Sequence, residues 1–260
     1  MHKPFALASM KSKNIIAIIP ARYASTRFPG KPLVDINGKS MIQRVYEKAF
    51  ISNVFEYIVV ATDNDEILNH VQSWGGNALM TSALHETGTD RCVEALEQLK
   101  SRFEFDYVIN IQGDEPFIAI EQIQALAAVL NGETEIATLC KKITENIQLF
   151  DPNKVKIVFD YNHNALYFSR QAIPYQRGIA EENWLHNGIY FKHLGLYAYK
   201  SDILYKISQL AVGDYEKAES LEQLRWLQNG YKIKVIETNH ESIGIDTPED
   251  LIQALKHLEN

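Results

Sequence analysis

Residues 15–19 read Ile-Ile-Ala-Ile-Ile, and this short run limits the fold more than any other part of the chain. It is too short for a helix and lacks the alternation of a half-exposed strand, so it predicts a parallel strand buried on both faces. A strand of that kind belongs to an α/β sheet with helices on either side. Pro20 ends the run. The loop beyond it carries Arg22, Arg27 and Lys31, interleaved with Ser25, Thr26 and Gly30 and stiffened by Pro29 and Pro32. An open α/β sheet binds its ligand beyond the carboxyl ends of its strands, so three cations held there call for a polyanion. Neither G-x-x-x-x-G-K-[ST] nor G-x-G-x-x-G is present, so phosphate has to be held mainly by side chains.

Composition, 46% apolar and 23% charged, is ordinary for a soluble globular protein, and an acidic one that handles a polyanion must gather its positive charge locally. With 260 residues the chain can bury a sizeable core as a single domain. A net charge of -7 argues against nucleic acid or an anionic membrane as the main partner. The two cysteines, Cys92 and Cys140, lie far apart with no C-x-x-C partner, which indicates neither a disulfide framework nor a zinc site and suits a reducing cytoplasm. No apolar run approaches ~18 residues, so no membrane insertion is expected. Residues 1–13 carry lysines but no apolar signal core and read as a flexible extension.

Along the chain, Asn37-Gly38 signals a tight turn, and Ser40 can cap a helix reaching Phe50. A second buried strand covers 57–62. Thr62 and Asp63 at its end are placed either to touch a nucleotide or to cap the helix that follows. A short strand over 77–80 leads to His85-Glu86-Thr87-Gly88-Thr89-Asp90-Arg91 and a helix to about residue 100. There Gly88 permits close backbone approach, Thr89 offers a hydroxyl and a cap, and Arg91 adds charge. The strand 106–112 ends in Gln112-Gly113-Asp114-Glu115-Pro116. A carboxylate at a buried strand end facing phosphate is costly without a cation. Mg²⁺, which takes one or two carboxylates and completes its shell with water and phosphate, is the natural partner of Asp114. Residues 122–130 form an amphipathic helix and 136–142 a strand. Residues 155–159 and 165–169 flank Asn162-His163-Asn164 as an antiparallel hairpin. Arg170 follows, where a fixed guanidinium can capture a carboxylate or pair with an acidic neighbour. A strand over 192–197, helices over 201–210 and 217–228 and a strand over 232–236 lead to Asp246-Thr247-Pro248, where Asp246 or Thr247 caps the last helix and Pro248 suits its first turn.

Six motifs in this order resemble the CMP-sugar-forming nucleotidyltransferases, specifically the 3-deoxy-manno-octulosonate cytidylyltransferase (CMP-Kdo synthetase) family. They are Ala21-Arg22-Tyr23-Ala24-Ser25-Thr26-Arg27, Gln112-Gly113-Asp114-Glu115-Pro116, Tyr167-Phe168-Ser169-Arg170, His193-Leu194-Gly195, Leu221-Glu222-Gln223-Leu224-Arg225 and Asp246-Thr247-Pro248-Glu249-Asp250. The resemblance runs from about residue 14 to 258. Two departures are local: Thr87 stands where the family has Ser, and Lys192 where it commonly has Arg.

The resemblance implies a Rossmann-like nucleotidyltransferase fold: a mostly parallel central sheet, helices on both faces and an inserted antiparallel hairpin lobe. It implies one domain over 14–260, with a nucleotide-binding half (14–150), a sugar-binding and dimerisation lobe (151–243) and a metal-ligand segment with the last helix (244–260). The implied activity is CMP transfer from CTP to Kdo with release of pyrophosphate, activating Kdo for lipopolysaccharide biosynthesis in the cytoplasm by a homodimer. Arg22, Arg27 and Lys31 would hold the phosphates, and Asp114 and Asp246 the Mg²⁺. Ala21, Arg22, Ser25, Thr62, Asp63, Gly88, Thr89, Arg91, Gln112 and Gly113 would contact the nucleotide. Gln112, Arg170, His193, Tyr197, Glu222 and Gln223 would contact the sugar. The alternatives are a cytidylyltransferase for another acid sugar, such as 8-amino-Kdo or a nonulosonate, and a non-catalytic nucleotide-binding module.

Overall fold

The computed structural model describes residues 13–24, 28–241 and 244–258. The expected extension over 1–13 therefore lies, apart from Lys13, outside the described residues, as do Ser25 and Arg27. Strand β1 (Ile15–Ala21) lies inside a nine-stranded sheet. A small ribbon, β2 (Asp35–Ile36) and β3 (Lys39–Ser40), turns at Asn37 and Gly38, both with positive φ as an Asn-Gly hairpin requires. The sheet continues with β4 (Tyr57–Thr62), β5 (Ala78–Met80), β6 (Tyr107–Asn110) and β7 (Ile136–Lys142). The hairpin β8 (Lys156–Phe159) and β9 (Ala165–Ser169) follows, then β10 (Phe191–Lys200) and β11 (Ile233–Glu237). The order is β11-β7-β10-β6-β1-β4-β5.

Pairing of β1 with β4 and β6, of β4 with β5 and of β7 with β11 is parallel. Strand β10 runs against both β6 and β7, a reversal its sequence does not announce. The hairpin joins the same sheet through β8 against β10.

Alternate residues of β1 feed two cores. Ile16 and Ile18 pack with Cys92 and Leu96 of α3 (Gly88–Leu99), Leu204 and Ile207 of α6 (Ser201–Ser208), and Leu224 and Trp226 of α8 (Gln223–Gln228). Ala17 and Ile19 pack on the other face with Ile42 and Val45 of α1 (Met41–Ile51), Ile67 and Val71 of α2 (Asp65–Ser73), and Ile123 and Leu126 of α4 (Ile120–Ala128). Residues 16–19 have no exposed surface, which is why the strand carries no polar alternation. A smaller core of Ile36, Met41, Ile245 and Ala254 seats α9 (Pro248–Leu258) against the ribbon.

Three local expectations are corrected. Asn64 caps α2, accepting from Ile67 N at 3.1 Å, which leaves Asp63 for another partner. Thr87, not Thr89, caps α3 by accepting from Asp90 N. The helix expected over 217–228 is broken into α7 (Asp214–Glu219) and α8 because Ser220 adopts φ 53°, in the left-handed region. Glu219 ends α7 by accepting from Ser169 Oγ at 2.7 Å and Arg170 N at 2.9 Å, a partner far away in sequence.

Removing the side-chain cap in Asn64→Ala should lower unfolding stability by about 1 kcal/mol. The test is the urea midpoint; an unchanged midpoint would show that the Asn64 carboxamide contributes nothing to α2.

Candidate active site

The loop after β1 returns on itself before it reaches the site. Gly30 N donates to Tyr23 O at 3.0 Å, and Gly30 takes φ 68°, a conformation glycine adopts without a Cβ penalty. The chain then enters a short 3₁₀ turn, Lys31–Leu33, with Pro32 at its start. This closure turns Lys31 inward: it is buried, and its Nζ lies 2.7 Å from Asp114 Oδ2 and 3.1 Å from Asp246 Oδ1.

Asp114 lies just beyond β6. Gly113, next to it, passes so close to β1 that a Cβ there would stand 2.7 Å from Pro20 O. Asp246 arrives from the far end of the chain. Ile245 N donates to Asp114 O at 2.9 Å, and Glu241, a few residues earlier, is gripped by Lys192 and by Lys141, the latter at 2.9 Å. The cap of α9 is Thr247, whose Oγ1 accepts from Asp250 N while Asp250 Oδ2 accepts from the Asp246 and Thr247 amides. The cap does not use the Asp246 carboxylate, which turns toward Lys31.

These groups line a cleft of about 330 Å³ at the carboxyl ends of β1 and β6. Of the residues expected at the nucleotide, Ala21, Arg22, Gly88, Arg91, Gln112 and Gly113 line it, together with Lys31, expected at the phosphates, and Asp114 and Asp246, expected at the metal. Arg22 is exposed at its mouth. Thr62 and Asp63 do not reach the wall. Thr62 is buried and its Oγ1 accepts from Asn64 N, while Asp63 pairs with Arg91 at 2.9 Å. Arg91 also donates to Thr81, so its charge is matched inside the protein and it braces the wall. His85, Glu86 and Thr87 line the cleft without having been assigned a role. The signal for them was their position directly before Gly88; the tie between His85 and Glu94 that holds the segment on α3 has no local signature.

A second polar cluster adjoins the cleft at Gly88. Thr89, the next residue, donates to Glu222 at 2.9 Å. Burial raises the Glu222 carboxyl from an ordinary 4.5 to about 7. The charge of Glu222, after burial, helps hold the Tyr197 hydroxyl well above its usual range, so the two side chains are neighbours. His193 stacks obliquely on Tyr197, ring centroids 5.2 Å apart, and Gln223 is buried beside Glu222. Asn110 pairs across the sheet with Tyr197, its side-chain amide lies close to Gly88, and its buried Oδ1 has no hydrogen-bond partner.

Arg170 is the residue the structure places elsewhere. Its Nε donates to Glu219 O at 2.7 Å, and its two terminal nitrogens donate to Pro152 O at 3.0 Å and Ser220 O at 3.4 Å. Each guanidinium nitrogen gives one of its hydrogens to main chain, three of five donors in all, and Arg170 does not line the cleft. Arg170 instead braces the turn at Ser220 that leads into Glu222.

Among the described residues no group of three or more His, Cys, Asp or Glu side chains could hold a metal by itself. Asp114 and Asp246 sharing one ammonium still form the donor set of an ion that needs one or two carboxylates and takes the rest of its shell from phosphate and water.

Comparison with known proteins agrees with this geometry. A sequence profile described as cytidylyltransferase matches residues 16–234. The 3-deoxy-manno-octulosonate cytidylyltransferase of Cytophaga hutchinsonii is 53% identical over 92% of this chain and 96% of its own. This chain belongs to the cytidylyltransferase family. The enzyme of the same name from Parabacteroides distasonis is 52% identical over 95% of this chain and 99% of its own. The structure of a CMP:2-keto-3-deoxy-manno-octonic acid synthetase complexed with CTP superposes with a TM-score of 0.87 at 40% identity, covering 95% of this chain and 98% of that one. The 4-diphosphocytidyl-2C-methyl-D-erythritol synthase of Anaerococcus prevotii, at TM-score 0.61 and 17% identity, shares the fold.

Two outcomes follow for this cytidylyltransferase site. Gly113→Ala should weaken CTP binding about tenfold or more, because the added methyl meets a main-chain carbonyl and overpacking costs roughly 1–3 kcal/mol; calorimetric titration with CTP measures it. Glu222 binds its proton more tightly when folded, so the folded protein loses stability as pH rises from 4.5 to about 7. Subtracting the stability of Glu222→Gln from wild type across that window should show a fall on the order of 2 kcal/mol. A flat difference would mean the carboxyl titrates normally.

Proposed function

We propose that this protein transfers CMP from CTP to the anomeric hydroxyl of 3-deoxy-D-manno-octulosonate (Kdo), giving CMP-Kdo and pyrophosphate. The observation that carries the reading is the Lys31 ammonium held between Asp114 and Asp246 in a cleft whose wall residue Gly88 precedes Thr89, the hydrogen-bond partner of Glu222. A triphosphate needs fixed cations and a metal-binding pair of acids; a sugar beside it needs hydroxyl-recognising groups.

The reaction is an in-line displacement at the α-phosphorus. The sugar oxygen forms a bond to phosphorus and gives its proton up to water, while the bond to the bridging oxygen breaks and pyrophosphate leaves with the electron pair. The protein's contribution is alignment and neutralisation of charge. Lys31 and Arg22 would meet phosphate oxygens, Gln112 and Gly113 would form the floor under the nucleotide, and Glu222, Gln223, Tyr197 and His193 would orient the sugar. Asp114 and Asp246 would hold Mg²⁺, which when bound supplies charge stabilisation to the phosphates.

Supporting a homodimer are the exposed apolar side chains Leu166, Tyr175, Ile179 and Ile189. Supporting a cytoplasmic setting are two free, buried cysteines, with burial pushing the Cys140 thiol up to about 12. Among the described residues no helix is long and apolar enough to cross a membrane. CMP-Kdo produced there would serve lipopolysaccharide synthesis.

The test is pyrophosphate release with each of four nucleoside triphosphates and a panel of acid sugars, with and without chelator. CTP with Kdo should give the highest kcat/KM, and chelator should abolish it. A preference for 8-amino-Kdo or a nonulosonate would move the assignment to that sugar. Asp114→Ala should lose turnover while unfolding normally, and Lys31→Met should lower kcat by roughly 10²–10³ if its charge acts in the transition state. Wild-type turnover in either variant would refute its role.

A further inference from the structure

Strand β10 carries a bulge between Leu194 and Tyr197, where its register against β7 slips past Thr138. Thr138 has no exposed surface. Its Oγ1 lies 2.9 Å from Leu196 O, 3.2 Å from Leu194 O and 2.9 Å from His193 Nε2. The two carbonyls can only accept, and a threonine hydroxyl has one proton to give. Were that proton directed to the imidazole, Oγ1 would face two carbonyl oxygens at hydrogen-bonding distance with no hydrogen between them. The hydroxyl must therefore donate into the bulge, and Nε2 must carry a hydrogen and donate to Oγ1.

Burial pushes the His193 pKa down to about 3, so the ring is neutral at physiological pH. A neutral imidazole with its proton on Nε2 presents a bare lone pair at Nδ1. Among the described residues no hydrogen bond reaches that nitrogen. Phe168 meets the ring edge-on at 5.1 Å and Tyr197 lies obliquely at 5.2 Å, which fixes its plane.

We propose that Thr138 is a positioning residue that locks His193 in the Nε2–H tautomer, so that Nδ1 accepts a hydrogen bond from a hydroxyl of the acid sugar. This rests on the reading of the β10 cluster as the sugar subsite. An independent observation points the same way: Asn110 Oδ1, next to Tyr197 across the sheet, is a second buried acceptor with no partner. Beside these two acceptors the buried Tyr197 hydroxyl also has no hydrogen-bond partner, a mixture of acceptors and a donor that fits the hydroxyl groups of a sugar.

The tautomer is read directly by ¹⁵N–¹H correlation of the imidazole in the free, labelled protein, the His193 signal being assigned by its loss in His193→Ala. The expected result is a pyrrole-type Nε2 and a pyridine-type Nδ1. Thr138→Val keeps the shape and removes the acceptor. It should shift the ring toward the other tautomer and raise the KM for Kdo roughly tenfold, the worth of one hydrogen bond, with the KM for CTP unchanged. Thr138→Ser should restore both readouts. An Nδ1–H ring in the wild type would overturn the proposal and leave the sugar subsite standing. Failure of Thr138→Ser to restore, or an equal rise of both KM values in Thr138→Val, would also overturn it. An unchanged KM for Kdo in His193→Ala would overturn the subsite reading itself, whatever the spectrum shows.

Discussion

A buried ammonium shared by two carboxylates is the interaction on which the site depends. Lys31 meets Asp114 across 83 residues and Asp246 across 215. A lysine taken out of water without a partner costs several kcal/mol, so the ammonium draws both acids to one point. The three groups that phosphate chemistry needs are thus already gathered by their mutual attraction. Removing the lysine leaves two like charges facing each other, and removing either acid leaves the ammonium with one carboxylate fewer, so the trio is best regarded as a single unit.

The fold serves that unit by parallel pairing. Because β1 and β6 run in the same direction side by side, their carboxyl ends deliver the basic loop and Asp114 to one edge of the sheet. The reversed strand β10 does something different. Running against β6, it sets Tyr197 beside Asn110, at the end of β6 that leads to Asp114. One strand direction therefore supplies Lys31 and Asp114 and the opposite direction the neighbouring polar cluster. Gly88 stands where the two meet, followed at once by Thr89 and its bond to Glu222.

Elements whose causes are local could be read from the chain. The strands Tyr57–Thr62, Ile136–Lys142 and Ala165–Ser169 have the bounds their apolar patterns suggested, and six of the residues expected at the nucleotide line one cleft with Lys31, Asp114 and Asp246. What could not be read has causes at a distance. The helix over 217–228 has continuous helical spacing, and it breaks because Glu219 is drawn to Ser169. Arg170 carries a free charge in the sequence, yet main-chain carbonyls of Glu219 and Ser220 take up its donors. Thr138 gave no signal, since an isolated threonine in a strand resembles any other until His193 folds against it.

The hydrogen bond from Ile245 to Asp114, with Glu241 anchored on Lys141 and Lys192 just before it, has a consequence for how Asp246 is held. Among the described residues the last of eleven strands ends at Glu237, so no sheet pairing fixes Asp246. A few contacts on a segment outside the sheet keep its carboxylate beside Lys31, and loosening that segment would withdraw one of the two acids while the sheet stays whole.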